Sequence, residues 1–278
     1  MEESECPSDY NRIQKIKKGT RGTVYEVEKD GKRFALKEIS KDRFQDDQIE
    51  VIKKRLEIQK SLEHPNILPV LEILEDCEFL KIVMELCSCD LLNFRKSLKI
   101  DPMGSSTRKD IQHIFRQIVE TVLYLEDKNL IHNDIKLENV VIHNGIPKLI
   151  DFDMIESYVC DEEGKTDLSA YRTYSYYMAP EMCQHGYTTK VNSWQLGMLL
   201  YGLLVDEDIP VNILQNYQRN RYADYRQRYE FVAKNAPSIP EELEKEPIAC
   251  DLVTKLLQPD PNLRLCVKEI LEHPYLRV

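Results

Sequence analysis

The sequence has no long apolar run. Its longest, 196–205, is roughly ten residues, against the roughly 20 needed to span a bilayer. It has no repeated C-x-x-C pair either. Eight cysteines are scattered along 278 residues, and Cys87 and Cys89 flank a single serine, which is not a zinc spacing. Neither a metal finger nor a disulfide framework is implied. Free thiols used for packing fit a reducing intracellular compartment, cytoplasmic or nuclear. The acidic start, Met1 to Pro7, lacks the pattern of a signal or transit peptide. Positive charge is in deficit: 38 Lys and Arg stand against 48 Asp and Glu, a net charge of -10. That balance argues against broad nucleic-acid or anionic-membrane binding, which needs a basic footprint. There is no internal repeat, low-complexity segment or Gly/Ser linker.

What is present reads as two parts. Residues 10–17, 23–29 and 33–39 are short runs rich in β-branched or aromatic residues. They are broken by Gly19 to Gly22 and by Asp30-Gly31, a hairpin signal. The stretch 45–62 predicts a helix, because Ile49, Ile52 and Leu56 recur on one face. Pro65 closes that helical segment. Residues 67–74 and 79–86 return to strand character. Beyond Leu91 the pattern turns helical, notably over 109–128 and 190–205, the second apolar enough to be buried. A mostly β part followed by a mostly α part predicts an α+β fold of two lobes sharing a cleft, joined near 86–89.

The chemistry concentrates in His132-Asn133-Asp134-Ile135-Lys136-Leu137-Glu138-Asn139, followed by Leu149-Ile150-Asp151-Phe152. Phosphoryl transfer asks a protein for metal ligands, a positioned hydroxyl and positive charge on the phosphates. Asp134 is placed to accept a hydrogen bond from an acceptor hydroxyl. Lys136 is placed to reach the transferring phosphate. Asn139 and Asp151 are hard oxygen ligands of the kind Mg prefers. Phe34-Ala35-Leu36-Lys37 adds a lysine ending an apolar strand, and Gly19-Thr20-Arg21-Gly22-Thr23-Val24 adds a glycine turn before it.

In order and separation these elements resemble the eukaryotic-type protein kinase catalytic domain, of the Ser/Thr branch. His64-Pro65-Asn66, Val83 to Leu86, Met178-Ala179-Pro180-Glu181, Trp194 to Gly197, Asp260 to Arg264 and His273-Pro274 extend the likeness over about 10–276. The resemblance implies a two-lobed kinase fold, with residues 1–86 as N-lobe and 87–278 as C-lobe. It implies ATP and Mg as cofactors and a protein as substrate or regulated partner. It places ATP at Gly19, Gly22, Val24, Ala35, Lys37, Met84, Glu85, Leu86, Cys87 and Val141, metal at Asn139 and Asp151, and catalysis at Asp134 and Lys136. It also implies that Arg264 pairs with Glu181.

Several positions depart from the family pattern. Lys17 stands where the first glycine of the nucleotide turn is usual, and Lys17, Lys18 and Arg21 add charge there. Arg55 stands where a glutamate would pair with Lys37, and a second cation at that place is expected to repel the lysine. Glu57 is an alternative partner if the register shifts. Gln59 replaces an apolar residue one turn on. Asn133 replaces the arginine that reads a phosphorylated activation segment, so activation by that route is not expected. Asp153 replaces a glycine and adds charge near the metal, and Asn192 replaces a buried aspartate. Thr173 or Tyr174 takes the substrate-facing position. Thr166, Ser169, Thr173 and Ser175 are candidate phosphorylation sites. Arg219, Arg221, Arg226 and Arg228, with Tyr217, Tyr222 and Tyr225, form a mixed polar stretch. Two functions follow: an ATP-dependent Ser/Thr kinase, and a pseudokinase that regulates a partner through its surface.

Overall fold

The protein is described by a computed structural model, over residues 10–19, 21–97, 105–162, 166–170, 175–205, 210, 212–213 and 224–277. The expected Thr173 or Tyr174 position, and Tyr217, Arg219, Arg221 and Tyr222, lie outside the described residues.

A five-stranded antiparallel sheet forms first, in the order β1-β2-β3-β5-β4. Its strands are β1 (Asn11–Lys18), β2 (Thr23–Lys29), β3 (Lys32–Ser40), β4 (Val70–Glu75) and β5 (Phe79–Glu85). The β2–β3 hairpin turns on Asp30 (φ 52°) and Gly31 (φ 73°), the left-handed pair that matches strand twist. Helix α1 (Asp46–Lys60) crosses between β3 and β4. A reciprocal pair of hydrogen bonds between Gln45 and Gln48 caps its start, with Asp46 and Asp47 in the first turn. Its Ile49, Ile52 and Leu56 pack with Ile39, Val70, Leu80 and Ile82 of the sheet. The opposite sheet face buries Tyr10, Val27, Leu36 and Val83 in a separate cluster.

The helical part follows: α2 (Leu91–Ser97), α3 (Ser105–Asp127), α4 (Lys190–Leu204), α5 (Tyr225–Lys234), α6 (Glu241–Glu244), α7 (Pro247–Leu256) and α8 (Val267–Glu272). Helix α3 buries Ile111, Ile114, Phe115, Ile118, Val119, Val122 and Leu125. Helix α4 is mostly apolar, and Val191 to Leu203 are out of solvent without a break, the polar Asn192, Ser193 and Gln195 included. Among the described residues no helix is long and apolar enough to cross a membrane.

Short strands complete this part. β6 (Cys89–Asp90), β8 (Val140–His143) and β9 (Ile146–Leu149) make a three-stranded sheet. β7 (Leu130–Ile131) pairs with β10 (Glu156–Ser157). The His64-Pro65-Asn66 turn ties the two parts together. Leu149 N donates to Asn66 O and Leu68 N to Leu149 O, while Asn66 Nδ2 donates to Pro147 O.

Candidate active site

Strand register builds the upper wall. Val24 opposes Lys37 across β2–β3, Ala35 opposes Met84 across β3–β5, and Ala35 and Lys37 share a face because strand side chains alternate. Val24, Ala35, Lys37 and Met84 are thus brought to one side of the sheet, the side of α1. The turn before β2 closes with Gly19 N donating to Gly22 O at 2.8 Å. A Cβ on Gly22 would stand 2.3 Å from Glu38 O, so packing against β3 admits glycine alone there. The chain leaves β5 through Glu85, Leu86 and Cys87. Ser88 N then donates to Ile142 O, which ties that connection to β8, the strand of Val141. Burial pushes the Cys87 thiol up to about 11, so it stays protonated and unreactive at neutral pH.

The lower wall is the loop after β7. Asn133 takes a left-handed backbone (φ 66°), which asparagine tolerates. Gln195 of α4 spans this loop: its Oε1 accepts from Ile135 N and its Nε2 donates to Asn133 O. A glutamine buried in a mostly apolar helix was the signal for this clamp, and sequence reasoning did not use it. His132 is fully buried, and burial lowers its imidazole below the usual range. Its Nδ1 accepts from Asp134 N, so the proton sits on Nε2, which donates to Ile150 O. Lys136 Nζ reaches both Asp134 oxygens, at 2.9 and 2.7 Å, and Asn139 Nδ2 donates to Asp134 Oδ2 at 2.8 Å. Asp134 Oδ1 therefore keeps lone-pair capacity for a hydroxyl. Asn139 is anchored in turn by Ile150 N, which donates to its carbonyl.

Asp151 begins the next segment in a left-handed conformation (φ 63°), with Phe152 buried edge-on against His132 at 4.7 Å. Lys37 Nζ lies 2.7 Å from Asp151 Oδ1 and 2.7 Å from Asp153 Oδ2. Burial alone would lower the Lys37 ammonium, but the Asp153 and Asp151 carboxylates outweigh it and hold it above its ordinary value. Burial works against Asp151 as well, yet the Lys37 charge keeps it ionised well below the usual carboxylate range. Asp153 is pushed up by burial and by Asp151 beside it.

Four expectations change. Arg55 does not face Lys37 and does not repel it. Its Nη1 donates to Asp153 O at 2.6 Å and its Nη2 pairs with Glu156 at 3.0 Å. Glu57 is exposed and does not pair with Lys37, so no register shift rescues it. Asp153 does not act as a stray charge, since it turns onto Lys37, with Arg21 at 3.9 Å on the same oxygen. Thr166 is buried, its hydroxyl donating to Tyr187 O, and is closed to modification in this structure. Ser169 is exposed and Ser175 half-buried. Lys17 pairs with Asp90 at 3.6 Å.

The other substitutions have local explanations. Gln59 is buried and donates to Leu68 O. Asn133 is fully buried. Its Nδ2 donates to Met154 O, and the Tyr187 hydroxyl lies 3.5 Å from its Oδ1. Asn192 donates to Glu126 at 2.8 Å. Arg264 forms the expected pair with Glu181 on two nitrogens, buried on both sides.

Magnesium nucleotide fits this donor set. Asp151 is held ionised, and Asn139 commits its amide nitrogen to Asp134, which leaves its amide oxygen as a hard donor. Mg held by phosphates needs only one or two protein oxygens beyond those.

The protein kinase domain model matches residues 10–276. Human NUAK family SNF1-like kinase 2 is 31% identical over 270 residues, covering 95% of this chain and 40% of that protein. Calcium-dependent protein kinase 8 of Arabidopsis thaliana is 30% identical over 276 residues, covering 96% of this chain and 49% of that one. A probable serine/threonine-protein kinase of Zea mays, CCRP1, is 28% identical over 284 residues, covering 96% and 41%. The chain spans less than half the length of these relatives. It belongs to the protein kinase family, and its fold is that family's two-lobed α+β architecture.

Proposed function

We propose that the chain is an active, ATP-dependent kinase that phosphorylates Ser or Thr hydroxyls of a protein. One observation carries the reading: Lys37 of β3, Asp134, Lys136 and Asn139 of the loop after β7, and Asp151 after β9 come together from three segments, Lys37 hydrogen-bonded to Asp151 and Asp134 to both Lys136 and Asn139. In this reading Mg-ATP supplies the phosphoryl group and the charge that the metal neutralises. Asn139 and Asp151 hold the metal, Lys37 holds the phosphates, and Gly19 to Val24 with Ala35 cover the nucleotide. Met84 to Cys87 and Val141 flank the base. Asp134 orients the acceptor hydroxyl and takes its proton through Oδ1. Lys136 holds Asp134 and adds positive charge beside the phosphoryl group being transferred.

The kinase family and its Ser/Thr relatives support a protein as substrate, and the net charge of -10 favours a basic one. The seven described cysteines are free thiols, which supports a reducing intracellular compartment.

Catalysis is tested with Mg-ATP and a basic peptide or protein, wild type against Asp134→Asn. A positioned base contributes about 10²–10⁴-fold, so the variant is expected to lose at least about 10²-fold in rate. Equal phosphate incorporation by both proteins rejects the enzyme. The regulatory pseudokinase reading then stands, and a thermal-shift titration with Mg-ATP shows whether nucleotide still binds.

A further inference from the structure

A lysine that holds phosphates needs a carboxylate that stays with it when nucleotide arrives. Asp151 is poorly suited to that task, because metal claims its oxygens. The two carboxylates on Lys37 differ in their surroundings. The Asp151 side chain is 35% exposed, its oxygen within reach of solvent. The Asp153 side chain is 7% exposed, its oxygen 2.7 Å from the lysine. Helix α1 offers Lys37 no carboxylate in reach: Glu57 is exposed, and Glu50 pairs with Lys53. It offers Arg55 instead, which grips the Asp153 carbonyl and Glu156.

We propose that Asp153 is the positioning residue for Lys37, and that Arg55 fixes Asp153, so that the ionic link between α1 and the cleft runs with its polarity reversed. The helix carries the cation, and the segment after Asp151 carries the anion. Asp153 is tied at both ends, its carboxylate on Lys37 and its carbonyl on Arg55. Glu156 gives Arg55 a second anchor on β10, which itself pairs with β7 next to the catalytic loop. The arrangement is built entirely from resident side chains and backbone, with no contribution from a phosphorylated residue. Arg21 approaches the same Asp153 oxygen and closes the cluster from the glycine turn.

This inference rests on the kinase reading for its catalytic consequence, and the experiment separates the two. Asp153→Asn keeps the shape and removes the charge, Asp153→Glu keeps the charge, and Arg55→Met frees the carbonyl. Glu57→Gln serves as control. Fluorescent-nucleotide displacement gives affinity without transfer, and steady-state kinetics with a basic peptide splits KM for ATP from kcat. Misplacement of a catalytic group by about 1 Å costs on the order of 10²-fold. Asp153→Asn is therefore expected to weaken Mg-ATP binding and kcat/KM for ATP by at least about tenfold, with KM for peptide unchanged. Asp153→Glu is expected to recover part of the loss, and Arg55→Met to fall in the same direction by less.

In the nucleotide-free protein, the acylation rate of Lys37 by an amine reagent, mapped by mass spectrometry, is expected to rise several-fold in Asp153→Asn and to stay unchanged in Glu57→Gln. If wild type binds no nucleotide, the kinase reading falls, and the acylation rates alone judge Asp153. Wild-type affinity and wild-type Lys37 reactivity in Asp153→Asn overturn the proposal. So does a loss produced by Glu57→Gln instead.

Discussion

At Gly22 the demand is for space, not for unusual backbone angles. Any side chain there would drive into the carbonyl of Glu38, and that carbonyl belongs to the strand that carries Lys37. Gly22→Ala is expected to cost about 1–3 kcal/mol by overpacking, read from urea unfolding. Because relief of the clash displaces β3, nucleotide affinity is expected to fall with it. The same scale explains Arg55 and Asn133. Each lacks the chemistry of the family's usual residue, and each donates to a backbone carbonyl of one short segment, Arg55 to Asp153 and Asn133 to Met154.

At the scale of elements, the turn Pro180–Cys183 is fastened to the loop before α8 by Arg264 and Glu181. Arg264 also donates to the carbonyls of Gln258, Pro259 and Lys190 and lies 5.1 Å from the Trp194 ring. Arg264→Met leaves a buried carboxylate without its partner, an effect of about 3–5 kcal/mol in a thermal or urea melt. The double variant Arg264→Met/Glu181→Leu is expected to recover only part of that loss, since three carbonyls stay without a donor. The α4 helix is the platform under both this pair and the His132–Asn139 loop. Its Gln195 fixes the loop backbone and its Asn192 reaches Glu126 on α3.

The carboxyl at that contact gives the whole molecule a pH dependence. Burial raises the Glu126 carboxyl from 4.5 to about 7, with Asp127 adding to the shift and the Asn192 amide opposing it. The Tyr158 hydroxyl lies against the Glu126 carbonyl, and burial pushes that phenol up to about 12, so it stays neutral over the same range. A carboxyl whose folded value is raised binds its proton more tightly in the native state. Its stability contribution is fully present below about pH 4.5 and is lost as pH rises through about 7. The loss is at most about 3 kcal/mol. Glu126→Gln keeps an acceptor for Asn192 and is expected to flatten this slope. Urea midpoints of wild type and variant at pH 5 and pH 8 check it, with the variant gaining most at pH 8.

The order of strands and helices was legible in the chain because it rests on local patterns. Asp30-Gly31 marked a hairpin, Ile49, Ile52 and Leu56 marked one helix face, and the unbroken apolar stretch before Val205 marked a buried helix. The expected helix over 109–128 starts four residues earlier, at Ser105, and strand 67–74 begins only at Val70. End positions depend on caps and pairing that periodicity does not carry. His132 to Asn139 and Asp151 stood out as candidates because their spacing along the chain is a local pattern; the structure keeps Asp134, Lys136 and Asn139 in one loop and brings Asp151 in after β9. The partner of Lys37 was not readable. Whether Arg55 repels that lysine or secures it depends on where a side chain over 90 residues away in sequence turns, and on whether the Asp153 carboxylate points to solvent or into the cleft. Charge type is written in the sequence, but the direction in which a charge points is settled by packing between α1, β3 and the segment after Asp151. The close approach of those three elements turned two apparent defects into one ionic link.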